Sequence, residues 1–344
     1  MKRVVKRVIL SALLLALLAA GAVLASLRSP YRGFGNDVFL TIDRGTGAVA
    51  IGRVLAQAGV IRYAWQFWAE RALRGSQKLQ AGEYRFSDPE TVSRVFDRMA
   101  RGDVYYFEFT VPEGSNMFDI AQSLEQAGIM RGADFLDAAS KPALISDLAP
   151  LAPTLEGYLF PSTYRLTHSI TAAQLCREMT GQFRKVWRKL AAGHPADVNR
   201  TVTLASMIEK ETGVAEERPL IAGVFFNRLD KGMKLDCDPT TIYAAMLENR
   251  FRNVIHKSDL HSQNPYNTYQ HAGLPPGPIA NPGAQSIEAA LAPAGTDYLY
   301  FVAKAEGGGH VFSKSLDDHT RAARLYRNNA DRKNESRKKA GKAE

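Results

Sequence analysis

Ile42-Asp43-Arg44-Gly45 is followed by Ile51, Leu55 and Ala58-Gly59-Val60. The pattern returns at Val111-Pro112-Glu113-Gly114, Ile120, Leu124 and Ala127-Gly128-Ile129, each position offset by 69 residues. Each copy reads as a short strand, a glycine turn and an amphipathic helix closed by glycine. Ile51 with Leu55, and Ile120 with Leu124, are four apart and mark the buried helix face. Between the copies, Ala81 to Phe86 reads as a strand, and Thr91 to Ala100 as a helix with Val92, Val95, Phe96 and Met99 on one face. Strands and helices mix without regular alternation, which predicts an α+β fold.

The rest of the chain is organised around this pair. Val8 to Leu27 is an uncharged apolar run, long enough as a helix to span a bilayer core. Lys2, Arg3, Lys6 and Arg7 precede it and predict a cytoplasmic N-terminus over residues 1–7. Ala20-Gly21-Ala22 fits a signal-peptide cleavage site, but the apolar run continues to Leu27, which favours an uncleaved anchor over 8–27. A linker over 28–37 is expected next, then a small α/β module over 38–108, a second strand–helix unit over 109–150 and an α+β catalytic domain over 151–327. Residues 328–344 are rich in Lys, Arg, Asn and Ser without an apolar face, and are expected to be disordered.

The 344 residues carry a net charge of +9. Residues 1–7 contribute +4 and residues 321–344 contribute +6, which leaves −1 for everything between. A nearly neutral body offers no basic stripe for nucleic acid. Two cysteines, Cys176 and Cys237, can form one bridge at most, and no Cys/His cluster suggests a metal site. Walker A, GxGxxG, GxSxG and HExxH patterns are absent, so no cofactor is expected.

Thr201 to Thr212 reads as a helix. At about 100° per residue Glu211 falls among Leu204, Met207 and Ile208, whereas Glu209 falls on the other side, beside Val202 and Ser206. A carboxyl group on an apolar face loses hydration, and its pKa rises. That is the property a general acid needs near neutral pH. The structural alternative is that Glu211 pairs with a buried arginine, Arg218 or Arg228. Glu209, next to Lys210, has a solvated reading with no role. Arg218 to Leu229 forms a second, largely apolar helix with Asn227 near its end. A third starts at Asp238-Pro239, with Asp238 as its N-cap. Rigid Pro/Gly loops carrying Tyr266, Asn267 and Tyr269 suit a sugar groove, so Asn227, Asp238, Tyr266, Asn267 and Tyr269 are candidate substrate-binding residues beside Glu211.

The strand–helix–helix–strand pattern of 38–108 resembles LysM modules, which bind N-acetyl sugar polymers. A duplicated packing unit is the plain alternative. Further on, LEGYLFPSTY (155–164), LASMIEKETG (204–213), AGVFFNRL (222–229), DPTTIY (238–243), NPYNTY (264–269), GLPPGPIANPG (273–283) and YLYFVAKAEGGGHVFS (298–313) occur in one order. Together they resemble the membrane-anchored endolytic murein transglycosylases of the YceG-like family. Cys237, beside the DPT block, stands where the family carries threonine.

The resemblance implies that Glu211, the second glutamate of EKET, is the catalytic acid. It implies non-hydrolytic cleavage between N-acetylmuramic acid and N-acetylglucosamine, leaving 1,6-anhydromuramyl ends and terminating nascent strands. It also implies peptidoglycan as substrate, cell-wall synthases (penicillin-binding proteins) as partners, and a single-pass inner-membrane protein with a periplasmic catalytic domain. A non-catalytic glycan-binding envelope protein and a hydrolysing muramidase remain the competing readings.

Overall fold

A computed structural model describes residues 2–75, 77–193 and 196–340. The chain divides into two compact units, residues 1–108 with 165–169, and residues 109–164 with 170–344. Residues 109–150, expected as a separate piece, belong to the same unit as the region expected to be catalytic.

The first unit begins with helix α1 (Lys2–Arg28), which is long and apolar enough to cross a membrane. Strand β1 (Val38–Ile42), helices α2 (Ala48–Gln57) and α3 (Ala64–Arg74), strand β2 (Gly82–Phe86) and helix α4 (Val92–Arg101) follow. β1 and β2 pair antiparallel, with Val38 opposite Phe86 and Ile42 opposite Gly82. Ile51 and Leu55 of α2, Phe67 of α3 and Val95, Phe96 and Met99 of α4 fill the core against the strands. The helix expected over 91–100 therefore forms, with the Thr91 side chain accepting from Arg94 N as its cap.

Residues 28–37 are not a loose linker. Leu27, the last apolar residue of α1, is 1% exposed and part of this core. Gln66 donates to both the carbonyl and the hydroxyl of Ser26. Tyr31 bridges to Glu90 through two backbone hydrogen bonds, and Gly33 N donates to Gly59 O at 2.8 Å. A side chain on Gly59 would meet the Gly33 carbonyl, so the close approach needs glycine there. The buried carboxylate of Glu83 accepts from His168 N and Ser169 Oγ, which holds the returning segment 165–169 in this unit.

Strands β3 (Phe107–Thr110) and β4 (Thr163–Leu166) pair with each other. The second unit holds helices α5 (Met117–Gln126), α6 (Gly132–Ala139), α7 (Ala172–Leu190), α8 (Val198–Glu211), α9 (Arg218–Asp230), α10 (Asp238–Leu247), α11 (Lys257–Leu260) and α12 (Ala284–Leu291). An antiparallel hairpin of β5 (Tyr300–Ala303) and β6 (His310–Ser313) comes next, and helix α13 (Leu316–Ala340) ends the unit. α13 runs through much of the stretch expected to be disordered; Ala, Arg, Lys and Glu sustain a helix, and no proline or glycine interrupts it before Gly341. Residues 341–344 of that expected tail lie outside the described residues.

α8 is the central helix. Every residue from Thr201 to Ile208 is buried, so its middle turns have no solvated face, and exposure is confined to its ends, at Arg200 and Lys210. Asn281, fully buried, joins three segments around it. Its side-chain oxygen accepts from Gly157 N and Leu159 N, each at 2.9 Å. Its amide nitrogen donates to Ser115 O and to Glu156 Oε1. An amide that uses both ends in this way satisfies groups that would be costly to bury unpaired.

Candidate active site

The end of α8 faces a cleft of about 420 Å³ lined by Glu211, Arg228, Asp236, Asp238, Tyr269, Tyr300, Phe301, His310 and His319. α8 stops at Glu211 because Thr212 is extended and its hydroxyl accepts from Val214 N, starting a turn. The Glu211 side chain is enclosed except where it opens on the cleft.

Burial pushes the Glu211 carboxyl above the usual range, and the neighbouring Asp238 adds to this. A hydrogen bond from Cys237 Sγ to Glu211 Oε1, at 3.0 Å, and the more distant His310 pull the other way. Burial and Glu211 together push the Cys237 thiol well above its ordinary value, so it stays a neutral donor. Both cysteines are free, and the bridge considered from sequence does not form.

Neither arginine proposed as a structural partner reaches Glu211. Arg218 lies 3.6 Å from Glu209, and both side chains are almost fully buried. Glu209 also accepts from Gly283 N at the start of α12. It is therefore an enclosed, paired carboxylate rather than a solvated neighbour of Lys210. Arg228 gives its donors to the carbonyls of Leu299, Lys234 and Leu235 and to Asp236.

Two sequence blocks carry Cys237 to the acid. Thr240 Oγ1 and Thr268 Oγ1 are 2.9 Å apart, and Thr268 Oγ1 accepts from Cys237 N. The N-cap of α10 is Cys237, not Asp238; Asp238 is the first helical residue and precedes Pro239. This frees the Asp238 carboxylate for the cleft, where Oδ1 accepts from Tyr269 Oη at 2.6 Å. Burial and this bond hold the Tyr269 hydroxyl well above its ordinary pKa.

Of the six residues singled out from sequence, the structure gathers Glu211, Asp238 and Tyr269 at one cleft. It places the other three elsewhere. Asn227 donates to the carbonyls of Thr296 and Tyr298 and fixes the approach to β5. Asn267 is fully buried; its amide donates to the carbonyls of Asp259, Leu260 and Ser262, and its oxygen accepts from Thr241 Oγ1 and Tyr269 N. Tyr266 packs on Tyr243, and burial pushes its hydroxyl up to about 12.

Sequence reasoning missed His310. Its Nδ1 is 2.7 Å from Glu217 Oε2, and its backbone N donates to Glu217 Oε1. Burial would push Glu217 up, but these bonds from His310 outweigh it and hold the carboxylate low. The GGGH run was a usable signal, because a side chain on Gly309 would strike the Glu217 carboxylate.

An enclosed carboxyl group, open to a polar cleft and bonded to a neutral thiol, has the chemistry that general-acid catalysis requires. The YceG-like family matches residues 40–325, and the chain belongs to that family. A Bacillus subtilis protein named endolytic murein transglycosylase is 32% identical over 310 residues, which is 85% of each chain. A Streptococcus pneumoniae protein of the same name is 29% identical over 344 aligned positions, 89% of this chain and 62% of that one. The chain thus spans a little under two thirds of the Streptococcus relative's length. The crystal structure of a yceG-like protein from Listeria monocytogenes is 31% identical, with a TM-score of 0.55, and covers 84% of this chain and 99% of that one.

Proposed function

We propose that this chain is an endolytic murein transglycosylase that cuts the MurNAc–GlcNAc bond of peptidoglycan strands without water. The observation that carries the reading is Glu211, desolvated at the cleft with the Cys237 thiol as its one hydrogen-bond donor among the described residues. Burial disfavours the charged form and so favours the protonated carboxyl that a general acid needs. In the proposed reaction Glu211 gives that proton to the glycosidic oxygen as the bond from the muramyl anomeric carbon breaks. Positive charge develops at that carbon. The 6-hydroxyl of the same sugar attacks it, and its proton returns to Glu211. The nucleophile belongs to the substrate, so no second catalytic carboxylate is required, unlike in two-carboxylate glycosidases.

Asp238 keeps the hydrolysing muramidase as a second reading, because it places another carboxylate at the same cleft. Its Oδ1 is occupied by Tyr269, which suits a positioning role better than activation of water. The full chain in detergent, incubated with purified peptidoglycan, separates the two by mass spectrometry of the fragments. Anhydro ends made by the wild type and not by Glu211→Gln support the transglycosylase. Reducing ends would overturn it in favour of hydrolysis.

The remaining parts follow the same reading. α1 anchors the protein as a single span in the inner membrane, with residues 1–7 cytoplasmic and the catalytic unit periplasmic. Residues 38–108 act as a LysM-like glycan-binding module. The groove of about 480 Å³ beside the first glycine turn, lined by Asp43, Arg44, Thr46, Lys78 and Gln80, is its candidate sugar site. Strand termination beside cell-wall synthases is the cellular role that fits a cutter held at the membrane.

A further inference from the structure

α3 buries Phe67 in the core, but it buries two polar residues beside it and leaves large apolar ones outside. Gln66 and Glu70 face the core of the first unit and are 3% and 4% exposed. Trp68 and Leu73 point outward and are 49% and 62% exposed. At about 100° per residue, Trp65, Trp68, Ala69, Ala72 and Leu73 share one outward stripe without a polar residue. Tyr63, 53% exposed at the helix start, stacks on Trp65 with ring centroids 6.5 Å apart. A soluble surface helix has the opposite pattern, so this face is built for an apolar or interfacial neighbour.

Its location selects the neighbour. Gln66, between the two tryptophans in sequence, is hydrogen-bonded to Ser26 in the last apolar turn of α1. Trp65 and Trp68 are each within one turn of Gln66, so they lie within about 5 Å along α3 of that tie. The polar zone on each side of a bilayer core is about 5–8 Å deep. Tryptophan and tyrosine gather in that zone because each has an apolar ring with a polar edge. Arg28, Arg32 and Arg62 are exposed nearby in the chain, and Arg62 lies 5.0 Å over the Tyr31 ring, which suits anionic headgroups.

We propose that the outward face of α3, centred on Trp65, Trp68 and Leu73, lies in the headgroup layer of the membrane that α1 spans. The first unit is then seated on the bilayer at two places, one spanning and one interfacial. This inference rests on the anchoring role of α1, and the experiment separates the two.

The full chain is reconstituted in vesicles of phosphatidylcholine with phosphatidylglycerol, with or without acyl chains brominated near the headgroup. Flotation reports on α1. Quenching of tryptophan emission by the brominated lipid reports on α3, because the chain's third tryptophan, Trp187, is buried in the second unit. The expected result is flotation with strong quenching in the wild type. Quenching should be lost in Trp65→Phe/Trp68→Phe, which keeps the face apolar and leaves flotation unchanged. Flotation with indoles open to aqueous iodide would overturn the proposal and leave the anchor standing. Flotation with indoles shielded from both lipid and iodide would overturn it in favour of a protein partner or a second copy. Failure to float would remove the anchor, and this proposal with it.

Discussion

The two copies of the strand–turn–helix repeat share a backbone and differ in what the turn touches. α2 and α5 span matching residues, 48–57 and 117–126. Gly45 and Gly114 hold φ of 85° and 76°, and Gly59 and Gly128 close the helices at 73° and 67°. In the first copy the turn is open. Nothing lies within 4 Å of a side chain at Gly45, and α2 starts at Gly47 without a side-chain cap. In the second copy the same turn is packed under the acid helix. Lys210 Nζ donates to Gly114 O, Asn116 caps α5 through Phe118 N and Asp119 N, and Glu156 accepts from Met117 N. One local design therefore presents a free groove in one unit and braces α8 in the other. The backbone is set by local sequence, and its use by the neighbours that close on it.

The sharpest test of that division is Glu211→Gln. It should lower turnover by about 10²–10⁴-fold, the usual contribution of a general acid, while glycan binding persists. Measured release of fragments against pull-down on insoluble peptidoglycan reads both quantities. Binding lost together with turnover would mean that the groove of the first unit does not hold glycan by itself.

Next in size is the pH dependence of the brace. Burial pushes the Glu156 carboxyl up to about 8, and the hydrogen bond from Met117 N opposes the shift without cancelling it. A carboxyl whose folded pKa is raised stabilises the fold fully below its ordinary value. That stability is lost as pH rises through about 8. The melting temperature should therefore fall between about pH 5 and about pH 8 and then level off. Glu156→Gln should flatten that slope even if it melts lower throughout, since its single oxygen can accept from Met117 N or from the Asn281 amide but not from both. An unchanged slope would show that Glu156 is ionised in the fold.

The glycines give a paired comparison. Alanine at either position is forced into left-handed backbone, so Gly45→Ala and Gly114→Ala should each cost about 1–2 kcal/mol in denaturant melts. Only Gly114→Ala should also slow turnover, because its new methyl sits 3.4 Å from Glu209 Cγ on the acid helix. Equal kinetic effects would break the distinction between an open turn and a bracing one.

The smallest effect is expected at His310. Its positive charge, when present, lowers the Glu211 pKa, though burial is the larger influence. His310→Gln should shift the alkaline limb of the rate profile to higher pH, because the acid then keeps its proton longer. A shift to lower pH would contradict the geometry.

Much of this was legible in the residues and some was not, for identifiable reasons. Apolar spacing located α2, α4, α5, α8 and α9, because each buries an apolar stripe or, for α8, all of its middle turns. Spacing also separated Glu211 from Glu209, but the explanation was incomplete. Both are enclosed, and the difference is that Glu209 meets Arg218 whereas Glu211 meets a thiol and a cleft. Asn227, Asn267 and Tyr266 do not line the cleft; an amide that satisfies buried loop carbonyls, or a tyrosine packed on another ring, looks in sequence like one that holds a sugar. His310 reaches Glu217 across 93 positions, a distance no local pattern encodes. The outward face of α3 has a helical period, and only burial shows which side is inward.

Leu27 lies in the core of the first unit, and this has a mechanical consequence. With α1 in a bilayer as proposed, a flexible leash would let the body spin and nod freely above the membrane. A helix whose final turn is part of a folded core transmits torque, so rotation of α1 about its axis turns the first unit by the same angle. The unit then has a heading as well as a height, and anything that grips α1 within the membrane can steer it.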